Sequence, residues 1–455
     1  MNRFGAWATD VRSSAGEGAA PALAHLVRTA AIAVVVVVPL VVAPWGQDAY
    51  SRPKVFVLYA LTGIMLAGWV MLRLVARQDW HLTRSEVALW ACLLAAVVSS
   101  WTTANPRLTF FGSPARYEGL ITVAAYATLY FVGAQFFGSE DRLRRLAVWS
   151  GGTGIMVAAY GVMQMFVPPL FAGEAFTRDW YGGLGFIRIP STVGGPVVFG
   201  GYLAFMLPLL LALGAMTAGA KRAIWLGGGC LAILALALTL TRGAWIAAAA
   251  ALIVFAAGLG RPAWRRQWVI FAAVAVAMLI SWLVLVTVVA TPAQVGRRVA
   301  AIAATDLGSV ASRLFIWDRT VSLIRARPVL GWGLETLREV FPYDREVLVR
   351  YFGPRPVIVD RAHNDMLQMA VSIGIPGAIA YLAFWLLNVA AAVMVMSRAP
   401  ASGRILALGL VAGLIGYLVQ AQAAFSSVAV TPLVWLLAGA ACGWEVAAKR
   451  ESPWP

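Results

Sequence analysis

Apolar stretches long enough to cross a lipid bilayer recur along almost the whole chain, and no other feature constrains its fold as strongly. A helix needs about 20 mostly apolar residues to cross the bilayer core, which is about 30 Å thick. Twelve candidate stretches can be identified, the third of them short: residues 27–44, 54–75, 86–100, 119–137, 145–168, 193–218, 223–239, 243–259, 268–290, 366–396, 404–424 and 430–447. Charged residues form 12% of the sequence, against roughly 25% in a soluble domain. The sequence therefore predicts an all-α polytopic membrane protein.

Basic residues are distributed unevenly between the connections of these stretches. Lys and Arg favour cytoplasmic loops. With the N-terminus in the cytoplasm, that side receives Arg73, Arg77, Arg84, Arg142, Arg144, Arg145, Lys221, Arg222, Arg261, Arg265, Arg266, Arg398, Arg404, Lys449 and Arg450. The short connections on the opposite side are poorer in basic residues. Membrane topology thus accounts for much of the net charge of +16. Because no soluble basic domain is evident, we expect no nucleic-acid partner.

One connection, residues 291–362, is much longer than the others and lies on the outer side. It contains eleven arginines: Arg297, Arg298, Arg313, Arg319, Arg325, Arg327, Arg338, Arg345, Arg350, Arg355 and Arg361. Loops longer than about 60 residues are largely exempt from the charge rule, so these arginines do not contradict the orientation.

An amphipathic helix is predicted within this loop. Leu314, Trp317, Val321 and Ile324 recur at intervals of 3, 4 and 3 residues, which places them on one helical face. We expect that face to pack on the outer surface of the bundle. Pro328, Gly331 and Gly333 are expected to end the helix.

The predicted organisation is one integral membrane domain. We expect residues 1–25 to be a disordered lead-in. The chain then divides into a cytoplasmic N-terminal segment 1–26, transmembrane helices 1–9 over 27–290, a large outer loop with site residues over 291–365, transmembrane helices 10–12 over 366–448, and a cytoplasmic tail 449–455.

His363 is the first candidate for chemistry, because it lies where the long outer loop meets the tenth predicted helix. The chain has only three histidines, and the other two, His25 and His81, are placed near the opposite membrane face. A titratable imidazole among arginines is suited to proton transfer on an anionic substrate. Asn364 and Asp365 follow it, and their types favour capping of the tenth helix or a supporting role in the site.

Three arginines flank membrane segments on the same side as His363. Arg242 lies at the turn between the seventh and eighth predicted helices, where a charge is costly unless it faces a polar cavity or snorkels to the interface. Arg188 precedes the sixth helix and its start at Gly194-Gly195-Pro196, which permits irregular backbone; an ordinary loop arginine is the alternative. Arg313 near the start of the amphipathic helix is poorly placed for the helix dipole, so an anionic partner would help to explain it.

These residue types suit transfer of a glycan from a lipid diphosphate. Arginine donates bidentate, charge-assisted hydrogen bonds to phosphate oxygens, and a neutral imidazole accepts a proton from an attacking hydroxyl. Metal catalysis is the competing mechanism. The outer acids Asp306, Asp318, Asp344 and Asp360 are scattered, with neither a DxD pair nor a histidine cluster, so we expect no metal and no cofactor.

The chain resembles the O-antigen ligase/O-antigen polymerase superfamily, of the WaaL type, over its second half and the region of Arg188. The resemblance rests on Thr239-Leu240-Thr241-Arg242-Gly243, Arg313 with Ile316-Trp317, Pro328-Val329-Leu330-Gly331-Trp332-Gly333, His363-Asn364-Asp365-Met366-Leu367-Gln368 and Gly374-Ile375-Pro376-Gly377. The sequence departs from the family pattern at Gly194-Gly195-Pro196-Val197, where a polar residue is usual.

The resemblance implies a GT-C-like, inverting, metal-independent glycosyltransferase of the bacterial inner membrane, with its large loop and active site in the periplasm. It implies an undecaprenyl-diphosphate-linked glycan as donor and lipid A-core oligosaccharide as acceptor, in contact with membrane lipids. By motif position, Arg188, Arg242 and Arg313 resemble the diphosphate-binding arginines, with Arg242 and Arg313 also assisting catalysis. His363 resembles the catalytic base, and Trp317 a supporting residue.

The acceptor stays open within this superfamily. A ligase uses lipid A-core, a polymerase uses a second lipid-linked repeat unit, and a protein O-oligosaccharyltransferase uses Ser or Thr of a secreted protein. We expect no further soluble domain after the last predicted helix, which favours a ligase or a polymerase over a protein transferase, and we rank the ligase first. A transporter of lipid-linked cargo and a structural scaffold are the remaining alternatives. Transporters often show two related halves, and polar groups at membrane depth are costly in a mere scaffold.

Overall fold

The computed structural model describes residues 3–45, 48–76, 83–103, 105–167, 170, 188–285, 287, 309–352 and 358–451. Several features named above lie outside these residues, namely Arg77, His81, residues 291–308 with Arg297, Arg298 and Asp306, and Arg355. The described helices are α1 (Arg3–Leu40), α2 (Ser51–Ala76), α3 (Arg84–Trp101), α4 (Pro106–Phe111), α5 (Leu120–Phe136), α6 (Glu140–Met163), α7 (Pro196–Met216), α8 (Gly219–Leu238), α9 (Arg242–Arg266), α10 (Trp268–Val284), α11 (Ser309–Ala326), α12 (Leu337–Val340), α13 (Arg345–Phe352), α14 (Asp365–Arg398), α15 (Ala401–Ala421) and α16 (Thr431–Glu451).

The described part of the chain is helical and contains no strand, which confirms the all-α polytopic fold. Each of the twelve predicted stretches contains one described helix. Among the described residues, nine helices are long and apolar enough to cross a membrane, and α5 and α10 are shorter apolar helices. The short third stretch forms α3, of 18 residues, which begins with a capping box between Thr83 and Glu86.

The expectation of disorder before residue 26 is wrong from Arg3 onward. Helix α1 begins at Arg3 and continues without interruption through the first predicted span to Leu40. The physical reason is composition: the segment is rich in alanine, which has the highest helix propensity of any residue. Helix formation therefore continues outward from the apolar part of α1.

Helix α7 lies at the centre of the bundle. It packs against α8, α9 and α15, and most of its residues are buried inside the protein. Helices α5 and α16 form a second closely packed pair, in which a Cβ atom on Gly439 would lie 2.0 Å from the carbonyl oxygen of Tyr130. Small residues permit such close backbone approach in membrane helices. The pair brings the loop before α5, residues 112–119, and the turn before α16, residues 422–430, to one end of the bundle.

Helix α14 is interrupted at Gly374, where φ is 76° and ψ is 170°. The 328–333 segment of the long loop docks at this break. The amide of Trp332 donates to Val371 O at 2.9 Å, and the amide of Ile375 donates to Pro328 O at 2.7 Å. A Cβ atom on Gly374 would lie 2.0 Å from Val329 O, so both the conformation and the close approach require glycine here. The long loop is thereby fixed to the helix that begins beside His363.

The amphipathic helix of the long loop is α11, and it packs against α14. It ends at Ala326, before Pro328, as the sequence predicts. Its buried face differs from the prediction. Ile316, Thr320 and Ile324 are buried at intervals of four residues, whereas Leu314 is 44% exposed. The prediction was wrong for Leu314, because the buried face also includes Thr320, whose hydroxyl donates to Ile316 O at 2.7 Å and is satisfied inside the helix.

Candidate active site

His363 occupies a strained backbone position between the long loop and α14. Its φ is 52°, in the left-handed region that side chains other than glycine rarely adopt. The backbone of the preceding residue, Ala362, is held on both sides. Trp317 Nε1 donates to Ala362 O at 2.9 Å, and Ala362 N donates to Gln368 Oε1 at 2.9 Å. Such strain costs about 1–3 kcal/mol and persists where the surroundings determine it, often at functional sites.

The two residues after His363 have different roles. Asn364 caps α14, because its side-chain oxygen accepts from Leu367 N at 3.1 Å, and its amide nitrogen donates to Gln422 O at 3.3 Å. The capping prediction is confirmed for Asn364. Asp365 is buried and accepts a 2.7 Å hydrogen bond from the hydroxyl of Tyr381, so its described contact joins two turns of α14 across the Gly374 break.

The imidazole of His363 lies against a group of side chains from other parts of the chain. Its ring centroid is 5.4 Å from that of Phe425, at an interplanar angle of 62°. Arg116 Cζ lies 4.2 Å from the centroid of the same phenylalanine ring, and Arg116 Nε donates to Asp360 Oδ2 at 2.9 Å. Sequence reasoning missed the importance of Arg116, Asp360 and Phe425, because only the packing of α5 against α16 brings them together.

The charge state of His363 follows from these surroundings. Its pKa is lowered from 6.5 to about 4, chiefly by burial and next by the positive charge of Arg313, while Asp360 acts in the opposite direction. Arg116 and Arg361 also favour the neutral form. The imidazole is therefore uncharged at neutral pH and has a lone pair to accept a proton.

Arg242 and Arg313 are brought together although 71 residues separate them in sequence (313 − 242). Arg242 is the first residue of α9 and is partly buried. Burial lowers the pKa of Arg313, and so does the positive charge of Arg242. Arg313 also acts on His363. Arg313 is thus within electrostatic range of both the candidate base and Arg242, and two such guanidinium groups suit a dianion such as a diphosphate.

Arg188 is buried and contacts the turn that precedes Arg242. Its Nε donates to Thr239 O at 2.8 Å and its Nη2 donates to Thr241 Oγ1 at 2.8 Å. The turn needs this support because Leu240 has a positive φ of 49°. An ordinary loop arginine is excluded by these contacts. Direct binding of diphosphate by Arg188 stays a prediction.

A buried ion cluster holds the segment that precedes His363. Arg361 forms an ion pair with Glu335, and both side chains are 3% exposed. Glu335 Oε2 accepts from Ser113 N at 3.2 Å and from Ser113 Oγ at 2.9 Å. Although burial lowers the pKa of Arg361, the carboxylates of Glu335 and Glu118 outweigh it and raise the pKa overall. Arg361 is therefore a buried structural cation, whereas the sequence indicated only one loop arginine among eleven.

Glu118 joins this cluster to the Phe425 turn. It accepts from Tyr126 Oη at 2.7 Å and from Ser426 Oγ at 3.1 Å. Burial raises the pKa of Glu118 to about 7, and Arg361 opposes the effect. Sequence reasoning missed both Glu118 and Glu335. The available signal was that acids are rare here, 20 in 455 residues, and that Glu335 follows a glycine-rich motif.

An apolar cavity of about 250 Å³ lies directly beneath the turn that carries Arg242. It is formed by the ends of α8, α9 and α10 nearest this turn. The lining includes Leu236, Trp245, Leu252, Met278 and Trp282. Trp245 Nε1 donates to Leu236 O at 3.0 Å, which satisfies the only polar atom of that indole. The cavity is therefore suited to a hydrocarbon chain attached to a group held at Arg242.

Metal ligands are not clustered in the part of the chain that the structure describes. No group of three or more His, Cys, Asp or Glu side chains arranged to hold a metal ion occurs among those residues. Three acids of the described region around this site are engaged with cations or hydroxyl groups: Asp360 with Arg116, Glu335 with Arg361, and Asp365 with Tyr381.

Two comparisons with known proteins bear on this site. Residues 227–382 match the model of a family described as O-antigen ligase. This range includes Arg242, Arg313 and His363. A protein of Rickettsia conorii described as a polysaccharide ligase is 36% identical over 78 residues. That alignment covers 16% of this chain and 18% of the Rickettsia protein.

Proposed function

We propose that this chain, whose residues 227–382 match the O-antigen ligase family, transfers an O-antigen glycan from undecaprenyl diphosphate to lipid A-core oligosaccharide. The observation that carries the proposal is the electrostatic environment of His363: the imidazole is uncharged, Arg313 acts on it, Arg242 acts on Arg313, and the turn that carries Arg242 borders an apolar cavity. A base, a dianion site and a hydrocarbon site are the three parts that transfer from a lipid diphosphate requires.

The reaction is one displacement at the anomeric carbon of the donor. The acceptor hydroxyl attacks this carbon and gives its proton to His363, while the bond between carbon and diphosphate oxygen breaks. The bonding electron pair stays on the diphosphate. Attack opposite the leaving group inverts the anomeric configuration. Arg242 and Arg313 stabilise the charge that develops on the departing diphosphate, so we propose that no metal ion is needed.

The lipid part of the donor fits the cavity below Arg242. Because the bilayer is already apolar, a polyprenyl chain gains little free energy when it moves from lipid into this cavity. The cavity therefore serves chiefly to orient the chain. The side chains of Trp245 and Trp282 line the cavity on α9 and α10. A chain held there directs its diphosphate toward Arg242. We propose that the end of the bundle that carries Arg242 and His363 faces the periplasm and that the protein lies in the inner membrane. The basic connections of the sequence lie at the other end, which favours that end as cytoplasmic.

A polymerase or a protein O-oligosaccharyltransferase would use the same donor half of the site. These candidates differ from a ligase in the acceptor, so the experiment must offer acceptors separately. Purified protein receives a labelled lipid-diphosphate glycan together with lipid A-core, a second lipid-linked glycan, or a Ser-containing peptide. Product with lipid A-core alone supports the ligase; product with another acceptor instead contradicts it.

The role of His363 is tested in the same assay. His363→Ala is expected to abolish transfer without loss of the folded protein, since it removes the imidazole that is proposed to take the proton of the acceptor hydroxyl. His25→Ala is the matched control, because His25 is an exposed histidine in α1. Full transfer by His363→Ala would refute the base.

A further inference from the structure

The side chains around His363 form two groups with different partners. Arg313 is coupled to Arg242, the pair assigned to the donor diphosphate. Arg116 instead contacts Asp360 and Phe425, and it comes from the loop before α5, far from α9 and α11 in sequence. The base in a displacement must reach the acceptor hydroxyl. Because Arg242 and Arg313 are assigned to the donor, the Arg116 group is the candidate for contact with the acceptor.

The second group has the chemistry of a sugar-binding site. The side chains of Arg116 and Asp360 are 28% and 23% exposed, so they retain surface for a ligand. A carboxylate accepts hydrogen bonds from hydroxyl groups, and a guanidinium donates them. Phe425 is partly buried and presents an aromatic surface, on which the apolar C–H face of a pyranose ring packs.

Charge separates this group from the diphosphate site. Arg116 is paired with Asp360, and the arginine charge lowers the pKa of Asp360 even though burial alone would raise it. The pair is therefore ionised and has no net charge. A phosphate at this position would be repelled by the carboxylate of Asp360. Uncharged hydroxyl groups can instead accept a hydrogen bond from Arg116 and donate one to Asp360.

We propose that Arg116, Asp360 and Phe425 form the subsite for the acceptor sugar and hold its attacking hydroxyl at His363. The ligand class is an uncharged pyranose with adjacent hydroxyl groups. The T-shaped contact of Phe425 with His363, at 5.4 Å between centroids, places such a sugar next to the imidazole. This inference rests on the proposed function and adds the position of the second substrate.

A purely structural ion pair is the competing explanation, and the test separates the two. Purified protein in lipid nanodiscs is assayed near pH 8, where His363 is neutral, with acceptor and donor titrated separately. Asp360→Asn is expected to raise the KM for the acceptor about ten-fold or more, the usual effect of losing a hydrogen bond to a charged group. The KM for the donor and the thermal unfolding midpoint should stay near the wild-type values.

A swapped variant, Arg116→Asp with Asp360→Arg, supplies the second measurement. It restores an ion pair between the two positions but exchanges donor and acceptor. If the residues form the subsite, the acceptor KM stays high although an ion pair is present again, and the unfolding midpoint stays near the wild-type value. An acceptor KM that returns to the wild-type value, or one that is unchanged in Asp360→Asn, overturns the subsite.

The failure of this inference is distinguishable from failure of the proposed function. If wild-type protein transfers glycan and His363→Ala does not, while Asp360→Asn leaves the acceptor KM unchanged, only the subsite is wrong. If His363→Ala transfers glycan normally, the proposed base is wrong, and the subsite built around it is wrong too. Arg325→Gln serves as the charge control, because Arg325 is an exposed arginine of α11 outside this group.

Discussion

The pKa of His363 is expected to depend on Arg313, and replacing that arginine by glutamine tests the dependence. The pKa is lowered from 6.5 to about 4, first by burial of the ring and next by the charge of Arg313. This difference corresponds to about 3 kcal/mol between the charged and neutral imidazole. Arg313→Gln removes the second cause and leaves the first. The pKa of His363 is therefore expected to rise above about 4 while staying below 6.5.

The assay is the pH dependence of kcat/KM for glycan transfer, which reports ionisations of the free enzyme. The neutral imidazole accepts the proton, so activity falls as pH decreases through the pKa of His363. In wild-type protein this fall is centred near pH 4, and in Arg313→Gln it moves to higher pH. Arg325→Gln, which replaces an exposed arginine of the same helix, should leave the fall where it is.

The result that refutes the reasoning is an acidic limb of Arg313→Gln that coincides with the wild-type limb or lies at lower pH. A reduced kcat/KM at all pH values does not decide the question, because Arg313 is also proposed to bind the diphosphate. The donor itself provides an internal check. Its negative charges offset Arg313, so the acidic limb of kcat, which reports the bound enzyme, should lie at higher pH than that of kcat/KM.

Two further predictions concern the supports of the site. Glu335→Gln leaves Arg361 buried without its carboxylate partner and is expected to lower the free energy of unfolding by about 3–5 kcal/mol. The measurement is the Tm in detergent, which should fall. A Tm equal to that of the control Glu346→Gln, at an exposed site, would contradict the prediction. Ala249→Trp narrows the apolar cavity and should raise the KM of a long-chain polyprenyl donor more than that of a short-chain analogue. Ile253→Trp on the same helix, at a position 69% exposed, should affect both donors equally little; equal effects of Ala249→Trp on the two donors would exclude the cavity as the lipid site.

The membrane helices could be predicted from the sequence because their signal is local. Each stretch has the length and apolar composition that a bilayer crossing demands, and Asn364 could be predicted as a cap from residue type and position alone. The break of α14 at Gly374 could not be predicted in this way. It depends on the Pro328–Gly333 segment, whose carbonyl groups approach the glycine. Two quoted motifs thus form one contact that neither motif reveals separately.

The candidate site was predictable only in part for the same reason. His363, Arg242 and Arg313 stand out in the sequence because a charged or titratable group beside an apolar segment is costly. Arg116 and Glu118 lie in a short connection, and nothing in the sequence indicates that they meet Asp360, Phe425 and Ser426. Their position follows from the glycine contacts between α5 and α16, which determine where the two connecting segments meet.

The two halves of the site have separate supports, and this separation fits a reaction with two substrates. Arg188 holds the Thr239–Thr241 turn, so the donor half depends on the packing of α7, α8 and α9. The acceptor half depends instead on the Arg361–Glu335 pair and on the α5–α16 contact. His363 connects the halves through its strained peptide, which Trp317 of α11 holds at Ala362 O. A change at Arg188 is therefore expected to move the donor relative to the base, and a change in the α5–α16 contact is expected to move the acceptor. Because displacement requires the base, the hydroxyl and the anomeric carbon to be aligned, either change alone should reduce kcat. The half that is affected is then identified by which KM changes with kcat, that of the donor or that of the acceptor.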